Sequence, residues 1–123
     1  MMRDQVSHAV IGAAIAVHRE LGPGLLESVY SACLCHELRR RGVPFARQVR
    51  VPVRYAGELV DASFRLDLLV NGQLIVELKS VDLLLEVHRA QLITYLKLTG
   101  IRRGLLINFN VLRLTEGISR LVV

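Results

Sequence analysis

The chain has 123 residues, with 16 Lys or Arg against 11 Asp or Glu and a formal charge of +5. That length suits one domain with one core, so residues 1–123 are read as a single domain. A hydrophobic fraction of 52% and mean hydropathy of +0.41 are high for so short a chain, so part of the apolar surface is expected to be covered by a second copy, most simply in a homodimer.

In chain order, the first apolar stretch is residues 9–17. It is too short to span a bilayer. Asp4 and His8 dilute the basic start that a secretion signal would carry. Val6, Val10, Ala13, Val17 and Leu21 recur at helical spacing, which predicts a core-facing helix from about Asp4 to Glu20. Leu21-Gly22-Pro23-Gly24 ends it. A second helix is expected from near Leu25, with Leu26, Val29, Ala32, Cys33 and Leu38 turned inward, closing at Gly42. Cys33 and Cys35 lie two apart, where helical side chains diverge, so neither a disulfide nor a zinc site is expected, and a reducing, cytoplasmic setting is the simple inference.

From Phe45 the period changes to two. Phe45, Val49, Val51, Val53 and Tyr55 alternate with polar residues, and Pro52 places this strand at a sheet edge. Gly57 marks a turn, Leu59 to Val70 is extended, and Asn71-Gly72 is a strong hairpin signal leading to a return strand from Gln73 to Lys79. A third helix is expected from Glu86 to Thr99, then a short buried strand from Gly104 to Phe109. Leu114 to Val123 would end the sheet. The expected class is therefore α/β.

Three charges stand out within apolar strands: Asp67 in Phe64-Arg65-Leu66-Asp67-Leu68-Leu69-Val70, and Glu77 and Lys79 in Leu74-Ile75-Val76-Glu77-Leu78-Lys79. An unpaired buried charge costs several kcal/mol. An ion-pair cluster is one account, but Lys79 can neutralise only one carboxylate. Opposed residues in a hairpin lie about 4.5–5.5 Å apart, where two carboxylates repel unless a cation sits between them, and Mg²⁺ suits oxygen ligands. A strict two-residue Asn71-Gly72 turn would set Asp67 opposite Val76 and defeat the site. A three-residue loop or bulge with Gly72 left-handed is therefore expected.

Glu27, in Gly24-Leu25-Leu26-Glu27-Ser28-Val29-Tyr30, falls in the first turn of a helix, where it suits the helix dipole without further function. Tyr30 and Tyr95 could simply pack with a hydroxyl at the rim. Gln91 and Tyr95 lie four apart on one helix face. His88, on the same helix, reads as a surface histidine. Arg39, Arg40, Arg41, Arg102 and Arg103 are candidate phosphate contacts, with capping and solubility as the default account.

Together these residues resemble the GxxExxY family of the PD-(D/E)xK nuclease-like superfamily, over nearly the whole chain from Leu21 to Val123. Gly24, Glu27 and Tyr30 match the name-giving motif. Phe64-Arg65-x-Asp67 and Glu77-Leu78-Lys79 match the metal core, Gln91 and Tyr95 the Q-x-x-x-Y element of RecB-like nucleases, and Gly104 to Phe109 the closing strand. The resemblance implies a restriction-endonuclease-like core, with a mixed central sheet flanked by helices. It further implies a Mg²⁺- or Mn²⁺-dependent nuclease acting on DNA, with RNA as second choice. Asp67, Glu77 and the Leu78 carbonyl would hold the ion. Lys79 would act as a positioned cation, and Glu27 would complete the acidic site. Gln91 and Tyr95 would position the lysine, the water or the substrate, and Tyr30 with the arginines would meet nucleic acid. The alternative is a non-catalytic module of the same fold that binds nucleic acid or protein. A sugar hydrolase built on a carboxylate pair leaves Lys79 without a role.

Overall fold

The computed structural model describes residues 3–123, with side chains from residue 5 onward; the side chain of Asp4, cited above against a secretion signal, lies outside the described residues. Helix α1 spans Arg3–Leu21. Val6, Val10, Ala13, Ala14 and Val17 form its buried stripe, while Leu21 is partly exposed. It ends as its sequence dictates: Gly22 takes a left-handed φ of 72° and its N–H donates to His18 O at 2.8 Å, and Pro23 cannot continue the helix. No helix among the described residues is long and apolar enough to cross a membrane.

Helix α2 spans Glu27–Arg40 and departs from expectation in phase. Its buried residues are Tyr30, Ser31, Leu34, Cys35 and Leu38. Leu26, at 73% exposure, and Val29 face solvent, Ala32 is exposed and Cys33 is only half-buried. Both sets repeat at helical spacing, so periodicity alone could not separate them. Tyr30 decides the matter. Its ring stacks on Phe109 at 4.6 Å, and its hydroxyl donates to Gly22 O and accepts from Leu25 N–H at 3.1 Å. Those bonds also explain why the helix begins two residues later than expected, since Leu25 is held in the loop.

Five strands form one sheet in the order β1-β2-β3-β4-β5: β1 Phe45–Tyr55, β2 Glu58–Val70, β3 Leu74–Lys79, β4 Arg103–Asn108 and β5 Ile118–Val122. β1 is an edge strand, as Pro52 requires. All pairs are antiparallel except β3 and β4. A parallel pair needs a crossover, and helix α3, Glu86–Thr99, supplies it. Residues 114–117, expected as strand, form a 3₁₀ turn before β5. α1 and α2 pack with Leu68, Val70, Val76, Leu78, Ile107 and Phe109 on one face. On the other, Leu92 and Leu96 of α3 pack with Leu66, Ile75 and Leu106.

The β2–β3 turn resolves the register question. Asn71 and Gly72 both have positive φ, at 53° and 65°, and Val70 O accepts from Gln73 N–H at 3.0 Å, which is the tight turn that Asn-Gly favours. The ladder nevertheless pairs Val70 with Leu74 and Leu68 with Val76. Gln73 is therefore the extra residue of a bulge, and the register is displaced by one, as the carboxylates need.

Candidate functional site: a carboxylate fork between two strands

Pairing between β2 and β3 stops at Leu68 and Val76. One step further, side chains take over the ladder. Asp67 N–H donates to Glu77 Oε2 at 2.7 Å, and Leu78 N–H donates to Asp67 Oδ2 at 2.9 Å. Two backbone donors that would otherwise lose partners where the strands separate are satisfied by carboxylates, and the two acids are fixed beside each other. Glu77 is 5% exposed. Burial first, and then the charge of Asp67, push its carboxyl up to about 8, against smaller opposing pulls from the Asp67 N–H bond and then Lys79.

The neighbouring elements bring further groups. Glu27, in the first turn of α2, has its carboxyl pushed up by burial and by Asp67 and pulled down by Lys79, which places all three in one electrostatic neighbourhood. Tyr95 on α3 is half-buried and stacks on Phe64 of β2 at 4.4 Å. Burial, then Glu77 and Asp67, raise its phenol, so it stays a proton donor. Gln91 lies one turn earlier on α3 and is exposed. Lys79 is half-buried beside Asn108 in the β3–β4 ladder. The loop after β3 is tied down by Asn108, which accepts from Val81 N–H and donates to Val81 O, and by Ser80 Oγ, which donates to Leu25 O at 2.6 Å.

A cleft of about 300 Å³ opens on the α2 side of Asp67, lined by Glu27, Ser28, Ser31, Arg47, Gln48, Asp67 and Leu78, while Glu77, between Val76 and Leu78, alternates toward α3. Ser31 Oγ is buried beside the cleft, next to the Cys35 thiol. A cleft lined by polar side chains suits a ligand that brings its own oxygens. Among the described residues no three His, Cys, Asp or Glu side chains form a ready-made metal cage. Two carboxylates and a carbonyl, with waters filling the remaining positions, still match the way Mg²⁺ is usually held.

Several expected residues lie elsewhere. Tyr30 is fully buried, with its hydroxyl engaged in the Gly22–Leu25 loop, so its place is in the core rather than against nucleic acid. Arg40 and Arg41 pair with Glu37 at 3.1 and 2.7 Å, and Arg39 lies over the Phe45 ring. They end a helix whose start, Glu27, is about 20 Å away at 1.5 Å per residue. Arg103 sits beside Leu74, five residues or about 16 Å along β3 from Lys79, and Arg102 Nε donates to Val123 O. Neither arginine cluster is brought to the carboxylates. His88 Nδ1 accepts from Leu85 N–H at the start of α3, a local capping contact.

Sequence reading missed Arg47, Gln48, Ser28 and Ser31. Gln48 has a φ of 53°, rare for a residue with a β-carbon. It sits opposite Asp67, at the gap in a ladder that runs Arg47 with Leu68 and then Val49 with Leu66. Both strands change face there. Phe45 and Leu68 pack toward α1 and α2, whereas Val49 and Leu66 pack toward α3. Strict alternation would have kept each pair on one side.

The family model of the PD-(D/E)XK nuclease superfamily matches residues 4–121. The search of curated proteins returned no match. Among solved structures, the crystal structure of SSO0001 is similar in fold, with a TM-score of 0.53 and 19% sequence identity over 76% of this chain. The match spans less than half, 46%, of that longer chain. With nearly the whole chain matched, the chain belongs to the PD-(D/E)XK nuclease superfamily.

Proposed function

We propose that the protein is a divalent-metal-dependent nuclease, using Mg²⁺ or Mn²⁺, that hydrolyses phosphodiester bonds of DNA before RNA and belongs to the GxxExxY branch of its superfamily. The observation that carries this reading is the reciprocal pair of bonds by which Asp67 and Glu77 close the β2–β3 fork. A purely structural fork would be satisfied by backbone or neutral groups. Two acids side by side, one nearly buried and raised to about 8, instead form a pair whose full ionisation a bound cation would favour.

Asp67, Glu77 and the Leu78 carbonyl are the ligands for such an ion, which when bound would stabilise charge on a phosphoryl oxygen and acidify water. Lys79 supplies a fixed positive charge beside the acids, suited to holding water and the developing anion. Glu27, whose carboxyl is raised by burial and by Asp67, faces the cleft that Asp67 lines and can accept a proton from water. Tyr95 keeps its phenolic proton and can donate to a phosphate oxygen, with Gln91 one turn away on the solvent side. The Arg47 guanidinium offers a further donor along the cleft.

The test is cleavage of plasmid, single-stranded DNA and RNA with Mg²⁺, Mn²⁺ or chelator. Metal-dependent nicking is expected, with Asp67→Asn and Glu77→Gln each lowering the rate by about 100-fold or more. Metal-independent cleavage, or equal rates in the variants, would contradict it. Exposed Leu83, Leu85 and Val87 before and in α3 support the homodimer expectation, which light scattering at micromolar protein tests.

A further inference from the structure

The β1–β2 ribbon runs past the rest of the sheet, since β2 pairs with β3 only at residues 68–70 while its ladder with β1 extends out to Glu58. Its α3-facing side is apolar: Val49, Val51, Phe64 and Leu66 pack there. Alternation puts Arg50 and Arg65 on the opposite side, the side of α2. Arg47 already lies there, since it lines the cleft with Glu27, Ser28 and Ser31. Arg47 and Arg50 are three residues apart and would face opposite ways in a regular strand. The left-handed Gln48 between them brings both to one side.

Three arginines thus share this face. All are exposed, and, like Arg19, Arg89 and Arg120, none makes an ion pair among the described residues, whereas Arg40 and Arg41 do. Arg50 and Arg65 are direct cross-strand partners, an arrangement of like charges that destabilises a sheet. The Arg50 Nε–H finds only the neutral Ser63 hydroxyl, at 3.0 Å. Asp61 and Glu58 on β2 lie nearer the tip, beyond the register shift at Pro52. A track of uncompensated guanidinium groups beginning at the carboxylate cleft fits a chain of regularly spaced anions.

We propose that this face of the ribbon, Arg47, Arg50 and Arg65, is the surface that grips the phosphate backbone of a polynucleotide and feeds it to the cleft that Asp67 lines. The inference rests on the nuclease reading for the identity of the ligand, and adds the surface that binds it. Contacts run to phosphates, so affinity is independent of sequence and depends steeply on salt. The Arg39–Arg41 and Arg102–Arg103 clusters take no part.

The test is fluorescence anisotropy of labelled 30-nucleotide single-stranded and 30-base-pair DNA, with chelator present, over a series of salt concentrations. Wild type, Arg50→Gln/Arg65→Gln, the charge-retaining Arg50→Lys/Arg65→Lys, and the charge-matched control Arg19→Gln/Arg120→Gln are compared; Arg120 is on the opposite edge strand. The glutamine pair is expected to weaken binding about 10-fold or more and to flatten the log–log salt slope by about 2 on duplex. The lysine pair should keep most of that slope and the control all of it. Equal losses in the glutamine pair and the control, or a wild type that binds neither DNA, would overturn the proposal. DNA binding that depends on the ribbon without any metal-dependent cleavage would sink the catalytic reading and leave the ribbon standing. Cleavage with no ribbon dependence would do the reverse.

Discussion

At its C-terminal end α2 carries Arg39, Arg40 and Arg41, and each has local company: Glu37 accepts from Arg40 and Arg41, and the Phe45 ring lies under Arg39. The hydrogen bond from Arg41 holds Glu37 below the ordinary carboxylate range. At its N-terminal end the helix carries one acid, Glu27, that burial and Asp67 push the other way. One end has its charges compensated where they stand. The other presents Glu27 to a cleft that Asp67 also lines. An acid pushed up by burial and by a second acid, in a cleft, marks a candidate for ligand contact.

That contrast can be broken or sharpened by mutation. The largest effect is expected at the fork, where Asp67→Asn or Glu77→Gln should lower cleavage by about 100-fold or more while the circular dichroism spectrum is retained.

Next comes a pH effect on stability without metal. Glu77 has a folded pKa near 8, raised above its ordinary 4.5, so the folded state holds a proton that the unfolded chain releases. Stability is full below about 4.5 and declines as pH rises toward 8, by an amount on the order of a few kcal/mol. Urea melts at pH 5 and pH 8 should show the decline in wild type and much less of it in Glu77→Gln. A wild type equally stable at both would refute this electrostatic account.

Tyr30→Phe should cost about 1–2 kcal/mol through the lost bonds to Gly22 and Leu25, without altering the metal requirement of cleavage. A change in that requirement would return Tyr30 to the functional set. Glu27→Gln should slow cleavage by roughly 10-fold and leave the thermal midpoint at neutral pH unchanged or slightly raised. The smallest effect belongs to Arg40→Gln/Arg41→Gln, where both the melt and the cleavage rate should stay within experimental error.

The site was legible where local chemistry fixes geometry. Charged Asp67, Glu77 and Lys79 inside apolar strands announced themselves, and the need to bring Asp67 beside Glu77 led to the displaced register that Gln73 provides. Element order and the edge position of β1 followed from the change of period and from Pro52. What escaped reading was set by tertiary context. α2 has two apolar stripes, and only the Tyr30 loop bonds choose between them. Gln48 adopts a left-handed backbone with no glycine to signal it, so the face change that takes Arg47 into the cleft had no local sign. The position of Arg102 and Arg103 at the far end of the sheet depends on β4 running parallel to β3, which no local pattern specifies.

The central claim is that Asp67 and Glu77 together hold a divalent ion. Isothermal titration of Mn²⁺ into wild type, Asp67→Asn and Glu77→Gln at neutral pH tests it most directly. Saturable binding by wild type, lost or weakened at least about 10-fold in each variant, is the predicted result. Wild-type protein that binds no metal, or variants that bind it as tightly, would contradict the claim.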